Sequence, residues 1–163
     1  MPRRSMREVL SSEALREIAG FVAVAASLLF VGLEIRQNTV ASRAAAYQEI
    51  GFNISEMYRE LSLDSDLTGL LQASSDTSGY RELTPIGRAQ VRSHIVGVLR
   101  MWETVRLQVD EGLLDESALA KLGFSVNPRI YWPYFIDAEW DAIRSHMSEE
   151  FGQYLEATYG LGD

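Results

Sequence analysis

Histidine is the first side chain to examine for chemistry, because its imidazole titrates near neutral pH and binds transition metals. The sequence contains two histidines, His94 and His146. Neither lies in an H-E-x-x-H motif, and no Glu-x-x-His pair of the kind found in dimetal bundles is present. His94 lies beside an apolar helical stripe, which favours a histidine at the edge of a helix bundle. Glu103 is only loosely spaced from His94 along the same helix, so no metal ligand is predicted.

Nucleophilic catalysis finds no support in the sequence either. Ser93 and Ser145 each precede a histidine, but adjacent residues on a helix point in different directions, and there is no G-x-S-x-G elbow. The chain has no cysteine, which excludes a cysteine nucleophile, a thiolate zinc site and an iron–sulfur cluster. The glycine-rich motifs of nucleotide-binding proteins are also absent from the sequence. We therefore predict no catalytic residue, no cofactor, no metal and a protein that is not an enzyme.

The charge of the chain is acidic and unevenly distributed. The net charge is −8, and residues 37–163 carry ten basic against nineteen acidic residues. Nucleic-acid binding needs a basic surface that releases counterions from phosphates, so a nucleic-acid partner is not expected. Two acidic groups lack the loop spacing of a calcium-binding EF-hand and are interpreted as solvated helix ends; they are Asp110, Glu111, Asp115, Glu116 and Asp137, Glu139, Asp141.

The first element that organises the chain is an uncharged run of 16 residues, 18–33. As a helix it spans about 24 Å, somewhat less than the roughly 30 Å hydrocarbon layer of a membrane. Its large apolar side chains surround the helix and leave no water-facing side; they are Phe21, Val22, Val24, Leu28, Leu29, Phe30, Val31 and Leu33. We predict a transmembrane helix over residues 18–36, preceded by a basic, amphipathic segment over residues 1–17.

Two alternatives compete with the membrane helix. A run of this length also occurs as the buried core helix of a soluble domain, and this alternative stays open. A cleaved signal peptide needs small residues at defined positions soon after the apolar run. Suitable residues first occur at Ala44 and Ala46, which is too far beyond Leu33 for that arrangement.

Charged residues flank the predicted span at the depth of the lipid headgroups. Arg16 precedes the span, while Glu34 and Arg36 lie at its end, where their charges reach the membrane interface. Arginine is more frequent before the run than directly after it, namely Arg3, Arg4, Arg7 and Arg16 against Arg36 and Arg43. The positive-inside rule then predicts a cytoplasmic N-terminus and places the acidic domain across the membrane, by a margin of two arginines.

Small residues recur every fourth position within the span. Ala19, Ala23 and Ser27 share one helix face, with Gly20 and Ala26 beside them. Small side chains let a second membrane helix approach closely, so this face predicts a membrane-embedded partner. The alternative is that alanine is simply common in membrane helices.

The remainder of the chain, residues 37–163, is predicted to form an acidic helical bundle, so the expected fold class is all-α. An amphipathic helix runs to about Leu63 and either continues the membrane helix or begins anew at Asn38 or Thr39. Thr84 followed by Pro85 is a strong helix start. The apolar stripe of that helix consists of Val91, Ile95, Val98, Trp102, Val105 and Val109.

An aromatic cluster follows near the C-terminal end of the chain and consists of Phe124, Tyr131, Trp132, Tyr134, Phe135 and Trp140. As core residues these rings would close the end of the bundle, and this interpretation is favoured. As surface residues they would form a docking patch or lie at the membrane interface. The candidate docking aromatics are Tyr131, Trp132, Tyr134 and Phe135.

The segment LEIRQNTVASRAAAYQEI, residues 33–50, resembles a family of uncharacterised bacterial single-pass membrane proteins. In that family an apolar N-terminal helix leads into Q-I-R-Q-N-T and an alanine-rich helix. The resemblance continues through WETVRLQVDEGLLDE, residues 102–116, and SEEFGQYLEA, residues 148–157. Glu34 stands where the family pattern has Gln. The resemblance implies a single-pass topology and a helical bundle, and it transfers no active residue. The expected location is the bacterial inner membrane, and the arginine bias places the helical domain in the periplasm.

These observations together predict a non-catalytic accessory or scaffold subunit of a larger bacterial membrane complex. The expected partners are the lipid bilayer and other membrane protein subunits, which dock through the membrane helix and the helical domain. One alternative is a membrane-tethered helical domain that senses a small ligand. The other is a soluble helical enzyme or binding domain with residues 18–33 in its core.

Overall fold

The computed structural model describes the backbone of residues 6–162 and the side chains of residues 15–162. Every regular element in these residues is helical: α1 Met6–Leu63, α2 Ser65–Ala73, α3 Thr77–Glu82, α4 Pro85–Asp110, α5 Ser117–Lys121, a 3₁₀ turn Pro128–Ile130, α6 Phe135–Ala138, α7 Trp140–Arg144 and α8 Glu149–Tyr159. The prediction of an all-α fold is confirmed for this part of the chain. Most of the predicted basic segment, residues 1–17, lies outside the described side chains.

Helix α1 contributes to two structural units. The N-terminal unit is Met1–Ala44 and the C-terminal unit is Ala45–Asp163. At the predicted restart the helix has no break, and the Thr39 hydroxyl donates to the carbonyl of Ile35 at 2.9 Å. A hydroxyl bonded to the preceding turn is typical of a helix interior and does not cap a new start. The apolar run and the amphipathic segment therefore belong to one helix.

Side-chain caps begin α2, α4 and α8, and the predicted start of α4 at Thr84 is confirmed. The side chains of Asp64, Thr84 and Ser148 each accept a hydrogen bond from the backbone N–H three residues further on, at 2.8, 3.0 and 3.2 Å. Pro85 occupies the first turn of α4, where its missing N–H costs nothing. These caps satisfy backbone groups that would otherwise lack partners at the helix ends.

Helix α4 forms the centre of the C-terminal unit and contacts α2, α5 and α7. Its buried apolar side chains are Val91, Ile95, Leu99, Trp102 and Val105. The sequence pattern predicts Val98 and Val109 in this face, whereas both are only half-buried. Because an α-helix completes a turn in 3.6 residues, the face that contains Ile95 returns at Leu99, which is fully buried.

A buried carboxylate connects α4 with the start of α8. Glu103 is 3% exposed and accepts hydrogen bonds from the Ser148 N–H at 2.9 Å and the Arg100 guanidinium at 2.5 Å. Burial by itself raises the pKa of Glu103. The hydrogen bonds from Ser148 and the positive charge of Arg100 outweigh this effect and hold the pKa of the carboxyl below its ordinary value.

The other end of α8 is held by Arg129, which lies in the 3₁₀ turn. Its two terminal nitrogens donate to the carbonyl oxygens of Tyr159 at 2.6 Å and Gly160 at 2.7 Å, while Nε donates to the carboxylate of Asp137 at 2.9 Å. Gly160 adopts the left-handed conformation that commonly ends a helix. A cation at these carbonyls also interacts favourably with the helix dipole. Both ends of α8 are thus anchored to neighbouring segments by charged side chains.

Candidate functional site

The apolar run in the N-terminal unit is exposed along its length except at Ala25, which is half-buried. Phe21 is 76% exposed, Leu29 is 71% exposed, and no residue of the most apolar 18-residue window is buried. By length and composition this is the one candidate membrane span among the described residues. The run therefore does not form a core within the N-terminal unit, and its apolar surface has no cover from the helix itself.

The charged residues that flank the run have a spacing suited to a bilayer. Arg16, Glu34 and Arg36 are all exposed. From Arg16 to Arg36 a helix rises about 30 Å, which equals the typical thickness of the hydrocarbon layer. Long charged side chains at such ends reach toward the headgroups while their stems remain among apolar atoms.

The small-residue face of the run is open. Ala19, Gly20, Ala23, Ala26 and Ser27 are exposed. No described atom lies within 4 Å of the position that a Cβ would take at Gly20. The Ser27 hydroxyl donates to the carbonyl of Ala23 at 2.9 Å, so it needs no partner in a membrane. This face offers a shallow surface without an unsatisfied hydroxyl.

The four predicted docking aromatics divide between the core and the surface. Phe135 is fully buried and Trp132 is 9% exposed, so both are core residues and their assignment to a docking patch is corrected. Tyr134 is half-buried and its ring packs edge-on against Tyr80, with centroids 5.2 Å apart. Tyr131 is 57% exposed. A single ring of this group is left to act as a surface contact, which is too small an area for a docking patch.

An apolar cavity of about 280 Å³ lies in the C-terminal unit. Its walls come from the end of α1, α2, the middle of α4 and the segment that joins α5 to the 3₁₀ turn. The lining residues are Ile54, Met57, Tyr58, Leu61, Leu71, His94, Val98, Leu99, Met101, Trp102, Leu122, Gly123, Phe124, Val126, Pro128, Tyr131 and Trp132. Small-molecule sites usually measure about 300–1,000 Å³ and have mainly apolar walls. The cavity is therefore suited to a small apolar molecule.

One buried polar group on the cavity wall lacks a partner within the described residues. The indole N–H of Trp102 is buried and has no acceptor there. His94 is half-buried, and burial, the single cause identified, lowers the pKa of its imidazole. Burial therefore favours the neutral form of the imidazole. Sequence analysis assigned both residues to structure, and the only signal for a site was their position on one helix, eight residues apart.

His94 also borders a second, more polar cavity of about 460 Å³. Its acidic lining residues are Glu49, Glu56 and Glu60, which come from α1, and Glu56 is paired with Arg59 at 2.6 Å. No group of three or more His, Asp or Glu side chains among the described residues is arranged to hold a metal ion. His94 thus lies between the apolar cavity and the acidic cavity and lines both of them.

Searches with protein-family models, curated proteins and solved structures found no match to this chain. Its function has to be argued from its own residues. The resemblance of residues 33–50 to bacterial single-pass membrane proteins remains a prediction. The exposed apolar run and the apolar cavity are the two features of the described residues from which a function can be argued.

Proposed function

We propose that the chain is a single-pass protein of the bacterial inner membrane and acts as a non-catalytic accessory or scaffold subunit of a larger membrane complex. The observation that carries this proposal is the exposed run of residues 18–33. Residues 18–36 are its membrane helix. The helical C-terminal unit is the part that lies outside the bilayer, on the periplasmic side.

The energetic argument for a membrane rests on the size of the apolar surface. Burying one large aliphatic or aromatic side chain contributes about 1.5–3 kcal/mol. The run exposes nine such side chains, which together represent on the order of 15–25 kcal/mol. A whole domain is usually stable by only about 5–15 kcal/mol. Left in water, the run would therefore favour aggregation, whereas a bilayer covers it completely.

The role as a subunit is supported by the open face of small residues. In lipid, apolar side chains alone do not bring helices together, because lipid tails are equally apolar. Close backbone approach at small residues supplies the van der Waals contact that does. The face Ala19, Ala23 and Ser27 is suited to this contact, so a second membrane helix is the proposed partner.

The test is membrane fractionation with carbonate extraction, followed by mild detergent and separation by native size. The full chain is compared with the double variant Val24→Lys/Leu28→Lys, whose charges each cost about 2.5–3.5 kcal/mol at the centre of a membrane helix. The matched control is Ile86→Lys, since Ile86 is 74% exposed and lies in the C-terminal unit. We expect the native chain and the control to stay in the membrane and migrate in a large assembly, and the double variant to be extracted.

Each alternative gives a different result in this experiment. If carbonate extracts the native chain, residues 18–36 are not a membrane helix. Residues 18–33 would then lie in the core or at an interface of a soluble protein. Retention in the membrane together with migration as a monomer would leave the anchor and contradict the subunit role. A reporter fused to the C-terminus and active only in the periplasm would support the proposed topology.

A second candidate function is a membrane-tethered domain that senses a small ligand. It is favoured by the cavity of about 280 Å³, whose wall combines many apolar side chains with the half-buried His94 and with the indole N–H of Trp102, which has no partner in the described residues. Residues Ile54, Met57 and Leu61 of α1 line this cavity, so an occupant contacts the helix that also carries the membrane run. Binding of a small apolar molecule to the full chain would favour this function over a purely structural role.

A further inference from the structure

We propose that the apolar cavity binds an uncharged, apolar molecule that carries one hydroxyl group, such as a phenol or a lipid alcohol, and that His94 forms the hydrogen bond to that hydroxyl. The proposal rests on the ligand-sensing candidate and not on the membrane anchor. Its parts are the shape of the cavity, the absence of charge on its wall and the half-buried position of His94 in that wall.

The wall of the cavity selects against charged ligands. None of its described lining residues is Lys, Arg, Asp or Glu, and the bulk of the wall is aliphatic, aromatic or methionine. A carboxylate or an ammonium group would lose its hydration there without gaining an opposite charge. The net charge of −8 further disfavours anions. An uncharged ligand is the one that this wall accommodates.

The polar anchor of the ligand is the imidazole of His94. A neutral imidazole has one donor and one acceptor nitrogen, and its two tautomers exchange these roles. A hydroxyl group serves either tautomer, because it can donate to the bare nitrogen or accept from the N–H. A carbonyl or an ether serves only the donor nitrogen. The hydroxyl is therefore the group best matched to His94.

The remaining walls fit a flat, compact ligand. Trp102 and Phe124 are stacked with their centroids 6.1 Å apart and both line the cavity. Met57 and Met101 lie in the same wall and can adapt to the outline of a ligand. A volume of about 280 Å³ limits the ligand to roughly a fused pair of rings or a short branched chain.

The experiment uses two probes of nearly equal shape, 2-naphthol and 2-methylnaphthalene, which differ by a hydroxyl in place of a methyl group. Binding to the full chain in lipid nanodiscs is measured for the native protein, for His94→Phe and for His146→Phe. His146 is exposed and lies outside the cavity, so it is the matched control. Partition of each probe into lipid is the same for all three proteins and cancels when the proteins are compared.

The expected result is a loss of naphthol affinity specific to His94. One hydrogen bond contributes about 1 kcal/mol, so His94→Phe should lower the affinity for 2-naphthol about fivefold. The affinity for 2-methylnaphthalene should stay nearly unchanged. His146→Phe should change neither. With two histidines in the chain, ring-labelled protein gives two imidazole signals, and only that of His94 should shift with 2-naphthol and stay unmoved by 2-methylnaphthalene.

Two outcomes would contradict the proposal, and they differ in whether the cavity is still a ligand site. If both probes bind equally and His94→Phe weakens neither, the cavity is a ligand site but the assigned ligand class is wrong. If neither probe binds while the native imidazole signals show a folded protein, both the ligand class and the ligand-sensing candidate fail. The membrane-subunit proposal is untouched by either result.

Discussion

At the scale of single residues, Glu103 is the side chain whose role depends most on its surroundings. It is a buried carboxylate in a helix whose neighbouring stripe is apolar, and it would be costly without partners. Ser148 and Arg100 supply those partners. Because Ser148 also caps α8, the carboxylate positions the first turn of that helix against α4.

We expect Glu103→Ala to lower the free energy of unfolding by about 2–3 kcal/mol, since hydrogen bonds to a charged group contribute about 1.5–3 kcal/mol and the Ser148 N–H loses its acceptor. Glu103→Gln should cost about half as much, because its amide oxygen can still accept from Ser148. Glu60→Ala, at an exposed position of α1, is the control and should stay within about 0.5 kcal/mol. Urea unfolding followed by aromatic circular dichroism measures all three variants. An unchanged free energy of unfolding in Glu103→Ala would contradict a stabilising role of the carboxylate.

The same carboxylate predicts a dependence of stability on acid. The pKa of Glu103 is lower in the folded chain than in the unfolded chain, where it is about 4.3. Its contribution is therefore complete above that unfolded value and is lost as the pH falls through the folded value. Unfolding between pH 6 and pH 2 should show a smaller loss of stability for Glu103→Gln than for the native chain. Parallel curves for the two proteins would argue against the assignment.

At the scale of elements, the packing of α3 against the end of α2 requires a glycine within α3. A Cβ at Gly79 would lie 1.9 Å from the carbonyl oxygen of Ala73, which is backbone and cannot move aside cheaply. The N–H of Gly79 also receives the cap from Asp76 at 2.8 Å. Close packing and capping thus meet at one residue, and they hold the turn between the two helices.

Two alanine substitutions test this requirement. Gly79→Ala should destabilise the protein by about 1–3 kcal/mol, the usual cost of forcing atoms into a filled space. Gly97→Ala is the control, because no described atom lies within 4 Å of its Cβ position in α4. There the better helix propensity of alanine should leave stability unchanged or raise it by up to about 1 kcal/mol. Thermal unfolding should therefore shift to a lower temperature for Gly79→Ala and not for Gly97→Ala, and equal shifts would contradict the close contact at Gly79.

At the scale of the whole molecule, the proposed anchor and the proposed docking face are separate properties of one helix. Ala19→Leu/Ala23→Leu keeps the run apolar but fills the small-residue face. The double variant should remain in the membrane and leave the large assembly, because bulky side chains keep helix backbones apart. Val24→Leu is the control outside that face and should remain both in the membrane and in the large assembly. Native-size separation after detergent extraction distinguishes them, and continued co-migration of the double variant would remove the basis for helix docking.

The sequence by itself determined the features that depend on neighbours a few residues away. Asp64, Thr84 and Ser148 act through hydrogen bonds three residues along the chain, so their caps could be predicted. The apolar character of residues 18–33 is likewise a local property of composition. Both kinds of prediction need no knowledge of how distant segments pack.

Only the tertiary structure decided which side chains of the C-terminal unit are buried and which face a cavity. Tyr131 and Phe135 lie four residues apart in one aromatic segment, yet the first is 57% exposed and the second is fully buried. Glu103 acquires its partner Ser148 from 45 residues further along the chain. The cavity beside His94 is assembled from α1, α2, α4 and a loop. Burial depends on which distant segments pack against a residue, and this cannot be read from the neighbouring sequence.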